Sequence, residues 1–198
     1  SQVDLAAFGI VSHMPMVRIK IPGCLLFPEG QVDFRLMPGA VDLAQKQITR
    51  ANGFEGEISH WKVVENLTSF ERVVASSAET EGVIWVPGFA PSWWVKSVTH
   101  LVSLTKAPGK VACDPDPAGL LIASQVGKVW EQQKVMWDPW FMSPDDFAGK
   151  ENLVPLSEHD FSLLKTFKQR QGNHVGLMSL AKWLEDNGQK LEQESYVQ

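Results

Sequence analysis

The sequence predicts an α/β fold: a central, mostly parallel four-stranded sheet flanked by helices, with a β-rich N-terminal segment and a helical C-terminal part. Three observations predict it. Short, near-continuous apolar runs, as expected of strands covered on both faces, recur at residues 61–64, 82–86, 110–113 and 134–137. Segments with helical spacing separate them, so strand and helix alternate through residues 60–138 as repeated βαβ units do. Beyond Trp140 the pattern turns to helix starts.

Residues 1–58 read as a lead-in packed on the core, and residues 59–198 as the main domain. Met16-Val17-Arg18-Ile19-Lys20-Ile21 alternates as a half-exposed strand does. Pro22-Gly23 turns the chain into a second short strand at 24–27, and Pro28-Glu29-Gly30 turns it again before a third alternating run at 32–36. Residues 41–51 have helical spacing, closed by Asn52-Gly53. In the main domain, Thr68 and Glu71 stand three apart, a capping box for the helix after the first strand. Ser92 is expected to cap the next helix, which contains Trp93-Trp94. The third strand ends on Asp114 and Asp116. Pro117 suits the first position of the following helix, where its missing N–H would have had no partner, and Asp116 is its cap. The fourth strand ends on Asp138. Ser143-Pro144-Asp145-Asp146 and Ser157-Glu158-His159-Asp160 mark helix starts, and a longer helix runs over 175–186 to Asn187-Gly188.

Bulk properties narrow the function. A net charge of -5 speaks against a free-standing, non-specific nucleic-acid binder, but leaves room for an enzyme that touches DNA locally or through partners. Cys24 and Cys113 form no metal spacing and no disulfide framework; Cys113 reads as a small buried hydrophobe. The five histidines share no ligand spacing. With no signal peptide and no long apolar run, a cytoplasmic protein without a membrane segment is expected. The opening Ser1-Gln2 reads as mid-protein, so the chain is expected to be the C-terminal part of a longer one.

Chemistry concentrates at strand ends. Glu65 ends the first apolar strand and Asp114 and Asp116 the third, and parallel strands bring all three to one edge, where ligands bind in open α/β sheets. Like charges about 4 Å apart repel by roughly 4 kcal/mol at an effective dielectric of about 20, so such a group takes up a proton or a cation. All-oxygen ligands favour Mg²⁺ or Mn²⁺ over zinc.

Val64-Glu65-Asn66-Leu67-Thr68-Ser69-Phe70, then Asp114-Pro115-Asp116-Pro117-Ala118-Gly119, then Leu191-Glu192-Gln193-Glu194 resemble the landmarks of the Toprim domain. That fold is shared by type IA and type II topoisomerases, bacterial primases and overcoming-lysogenization-defect nucleases. The nearest resemblance is to the C-terminal Toprim domain of JetD-type nuclease subunits of Wadjet anti-plasmid systems, over roughly residues 60–198. It implies a Mg²⁺-dependent DNA nuclease in which Glu65, Asp114 and Asp116 hold the metal and carry catalysis. Asn66, Gly88, Glu192 and Glu194 are the supporting positions. Expected partners are DNA, other subunits of a defence or DNA-maintenance complex, and a second copy in a homodimer. Topoisomerases of the group attack with a tyrosine; the single tyrosine, Tyr196, lies two residues from the end, so hydrolysis is expected instead of a covalent link. Two alternatives stand beside this: a non-catalytic Toprim-fold docking module, and a haloacid-dehalogenase-like phosphatase with Asp114 as nucleophile and Asp116 as acid/base. For the latter, Ala118 departs from that family's preferred Thr or Val.

Overall fold

The computed structural model describes residues 14–146 and 152–191. Its centre is a six-stranded sheet of mixed orientation. Four strands are parallel: β6 (His60–Val64), β7 (Glu81–Trp85), β8 (Gly109–Ala112) and β9 (Trp137–Pro139), in the order β7-β6-β8-β9. Two more extend it antiparallel on the β7 side, β1 (Met16–Lys20) and then β4 (Val41–Ala44). The expected four-stranded sheet is therefore the parallel part of a larger one. Strands from the N-terminal segment are members of the main sheet, with Ile19 paired to Ile84. The rest of that segment forms a three-stranded antiparallel sheet from β2 (Cys24–Phe27), β3 (Gly30–Asp33) and β5 (Gly53–Glu55).

Alternation along each strand decides which layer it feeds. Trp61, Val63, Ile84 and Val111 are buried in one cluster with α3 (Ser92–Thr105) and α4 (Pro117–Gln132). Val64 and Val83 face the other way and bury Phe70 of α2 (Leu67–Ser76), with Trp85 and Trp140 packed alongside. The C-terminal helices α5 (Glu158–Gln169) and α6 (Val175–Asn187) lie against α4, and a two-stranded antiparallel pair of β10 (Leu153–Pro155), before α5, and β11 (Gln189–Leu191), after α6, ties their outer ends together. Three of the eight tryptophans fill space that glycines leave open. Gly82, Gly109 and Gly127 leave the space that the rings of Trp61, Trp130 and Trp137 fill, since a Cβ at any of the three would lie within 2.6 Å of ring carbon.

Several local expectations are corrected. Residues 41–51 form β4 followed by the short α1 (Gln45–Thr49), not one helix. The third alternating run is β3 followed by a 3-10 turn over Phe34–Leu36. Helix α2 is capped by Asn66, whose side chain accepts from the Ser69 N–H at 2.9 Å; Thr68 lies inside the helix. Pro91, not Ser92, is the cap position of α3. Lys134 adopts a left-handed φ of 54° to close α4, with the Val135 N–H returning to the Trp130 carbonyl, so β9 starts only at Trp137. Pro144–Asp146 is a single 3-10 turn. Among the described residues no helix is long and apolar enough to cross a membrane.

Candidate functional site

Register brings the predicted carboxylates together. Val64 of β6 pairs with Ala112 of β8 and Trp85 of β7, so the three strands end level at one edge. The Glu65 N–H extends the ladder to the Ala112 carbonyl at 3.0 Å, and the Trp85 Nε1–H donates to the Glu65 carbonyl at 2.8 Å. These bonds fix the glutamate's backbone. Its side chain reaches across to the next loop, where Oε2 accepts the Asp114 N–H at 3.2 Å.

The turn from β8 into α4 positions the aspartates. The Asp116 N–H donates to the Asp114 carbonyl at 2.8 Å, and Asp116 Oδ1 caps α4 by accepting the Gly119 N–H at 2.7 Å. Pro117 opens the helix, as its fixed φ and missing N–H predict. Gly119 is dictated by space: a Cβ there would sit 1.8 Å from the Asp114 carbonyl oxygen. The tightness of this turn places Asp114 and Asp116 over the sheet edge.

The electrostatics are those of crowded, half-dry carboxylates. Burial first, and then the Asp114 charge, pushes Glu65 up to about 7. Burial also raises Asp116, against its bond to Gly119, with the Asp114 charge adding to the rise. The Cys113 thiol is held well above its ordinary range by burial, then by the three carboxylates around it, and it donates to Glu65. Two charged groups outside the predicted site act on Asp116 through space. Lys190 of β11 and the buried Asp160 of α5 pair at 3.0 Å, the cation lowering and the anion raising the proton affinity of Asp116. Ser157-Glu158-His159-Asp160 was legible as a helix start, which the structure has as a capping box, but the Lys190 partner 30 residues on had no sequence signal.

The donor chemistry of this set, though not its present arrangement, is that of a hard divalent cation site. The donors are carboxylate oxygens, and their shared burial leaves negative charge in want of compensation. Glu65, Asp114 and Asp116 would hold the ion. In the present rotamers Glu65 Oε2 and Asp116 Oδ1 are turned to backbone N–H groups, and among the described residues no three His, Cys, Asp or Glu side chains form a ligand cluster. Asn66 serves as the cap of α2 directly after Glu65. Gly88, with φ of 69°, lies in the loop after β7 at the same edge. That loop is clamped by Gln125 of α4, which accepts from the Ala90 N–H and donates to its carbonyl, both at 3.0 Å. Glu192 and Glu194 lie outside the described residues. Lys62, on the strand that leads to Glu65, is not free for a phosphate: it is committed to Glu81 at 2.7 Å and lies over the Trp140 ring. Trp94 is fully buried and donates to the Trp85 carbonyl, as a core residue does. No protein-family model and no curated protein sequence matches this chain.

Proposed function

We propose that the carboxyl edge of the parallel strands is the centre of a Mg²⁺- or Mn²⁺-dependent, Toprim-type DNA nuclease, the C-terminal part of a larger Wadjet-like plasmid-defence or DNA-maintenance protein. The observation that carries this reading is the meeting of Glu65 with Asp114 and Asp116 on adjacent strands, in the order that the resemblance requires. When bound, the cation would polarise a phosphoryl oxygen and lower the pKa of an attacking water. The chain's own residues do the rest. Glu65, poised near neutrality, exchanges a proton with the sugar oxygen at the scissile bond through Oε1, while Oε2 stays tied to the Asp114 N–H. Asp116 is held by the helix it caps, and the charge of Lys190, felt through space, offsets part of the negative charge that would repel a phosphate.

The test is incubation of supercoiled plasmid with the chain and Mg²⁺ or Mn²⁺. Nicked or linear DNA with free ends, abolished by chelation, is expected. Cleavage that survives chelation, or DNA ends covalently attached to protein, would refute hydrolysis at this site. A second reading, a Toprim-fold docking module without catalysis, is favoured by the internal hydrogen bonds that already engage Glu65 and Asp116; DNA binding with no cleavage under either metal would establish it.

A further inference from the structure

The carboxylate edge is bracketed by two exposed phenylalanines. Strand order puts the loop after β7 on one side of Glu65 and the segment after β9 on the other side of Asp114 and Asp116. The first carries Phe89, 54% exposed, and the second Phe141, 51% exposed. Neither is a loose loop residue. Phe89 lies between Gly88, with its left-handed φ, and Ala90, which Gln125 grips from both sides. Phe141 is pinned by its neighbours: the Trp140 N–H donates to the Val111 carbonyl at 2.8 Å, and Met142 Sδ accepts the Cys113 N–H at 3.5 Å. The segment that carries Phe141 therefore runs beside the strand that leads into the Asp114 turn. Its backbone is left-handed, with φ of 52°, a conformation that costs an L-residue energy and that a bulky side chain rarely adopts. The ring leans on Trp140, with centroids 4.8 Å apart and planes tilted by 40°. A large apolar side chain that packs on Trp140 yet stays half exposed on a left-handed backbone, at the edge that carries the carboxylates, is placed to bind a ligand.

We infer that Phe89 and Phe141 are stacking platforms for the nucleobases that flank the bond to be cut, so that the site takes nucleic acid as an unstacked or single strand. Three strand spacings separate β7 from β9, about 14 Å at roughly 4.8 Å each. A strand crossing that span passes over the carboxylates with a base at either side. Bases within an intact duplex have both faces covered by their neighbours, whereas a flipped or single-stranded base offers a face to an aromatic ring. The inference rests on the nuclease reading for the identity of the ligand, and on separate residues for its evidence.

The test uses the whole chain, a single-stranded oligothymidylate twelve-mer carrying 2-aminopurine, and a duplex of the same length, with Ca²⁺ replacing Mg²⁺ during binding. The single strand is expected to bind at least tenfold more tightly than the duplex, with the 2-aminopurine fluorescence quenched on binding. Phe89→Ala and Phe141→Ala should each weaken strand binding about tenfold, the size of one lost base–aromatic stack, and relieve the quench. Phe141→Trp should restore both. Because the rings are exposed, the variants should melt within about 2 °C of the parent, and Phe141→Gly, which suits the left-handed backbone, guards against misfolding of the alanine variant. Equal affinity for strand and duplex, or alanine variants that bind as the parent does, would overturn the inference. So would self-association that the variants abolish while strand binding is unchanged, which would assign the rim to a second copy. Metal-dependent cleavage indifferent to both phenylalanines would sink this inference and leave the nuclease reading; strand stacking without cleavage would do the reverse.

Discussion

Replacing Glu65 by glutamine isolates the electrostatic cost of the edge. Its carboxyl is raised from 4.5 to about 7, by burial foremost and then by the Asp114 charge. A carboxyl raised on folding gives its stability contribution below its unfolded value and loses it as pH climbs through the folded one. The window is therefore about pH 4.5 to 7. A tenfold change in proton affinity is worth about 1.4 kcal/mol, so this group lowers stability by ~3 kcal/mol across the window. Glutamine keeps an acceptor for the Asp114 N–H and carries no charge, so Glu65→Gln escapes the loss. Asp116 is raised too and its charge adds to the rise at Glu65, so the comparison reads Glu65 together with its coupling to Asp116. Urea unfolding from pH 5 to pH 8, with divalent cations removed, provides the assay. The variant should gain roughly 2 to 3 kcal/mol on the parent between those limits, on the same scale. Parallel pH profiles would refute the reasoning, because they would mean that Glu65 ionises as freely in the fold as out of it.

Other consequences are more local. Gly119→Ala places a methyl against the Asp114 carbonyl, backbone that cannot rotate away; a loss of about 3 kcal/mol is expected, and a melting temperature within 2 °C of the parent would contradict the packing described. Asn66→Ala should cost about 1 kcal/mol by uncapping α2, while Thr68→Ala should be nearly silent in the same denaturation experiment. Asp160→Ala removes the acceptor for Ser157 and Lys190 at a site 4% exposed, and should cost about 2 to 3 kcal/mol.

Much of the site could be read from the chain because its geometry is local. Asp114, Asp116, Pro117 and Gly119 span one strand-to-helix turn, where cap preference, the missing proline N–H and close approach all act within six residues. Glu65 is distant in sequence, yet it ends a strand whose parallel pairing with β8 follows from the alternation of strands and helices. What escaped depends on long-range partners. Nothing in Met16–Lys20 or Val41–Ala44 says that these strands join the edge of the main sheet. Residues 41–51 carry an apolar spacing that a strand and one turn of helix satisfy together as well as a single helix does. Lys134 closes α4 in a conformation usually marked by glycine, so the strand after it seemed to begin too early. The Lys190–Asp160 pair joins β11 to α5, a meeting made only by the folded helical part, and its charges are felt at Asp116. Phe89 and Phe141 are exposed residues with no signal in the sequence; only strand order sets the segments that carry them on either side of the carboxylates.

The central claim is that Glu65, Asp114 and Asp116 act as one divalent-cation site. Titration of Mn²⁺ into the chain, followed by electron paramagnetic resonance and calorimetry, tests it most directly. One bound ion is predicted, weakened at least tenfold in each of Glu65→Gln, Asp114→Asn and Asp116→Asn, with protons released on binding near pH 6 because Glu65 must ionise. Binding that all three substitutions leave intact, or the absence of any binding at millimolar Mn²⁺, would contradict it.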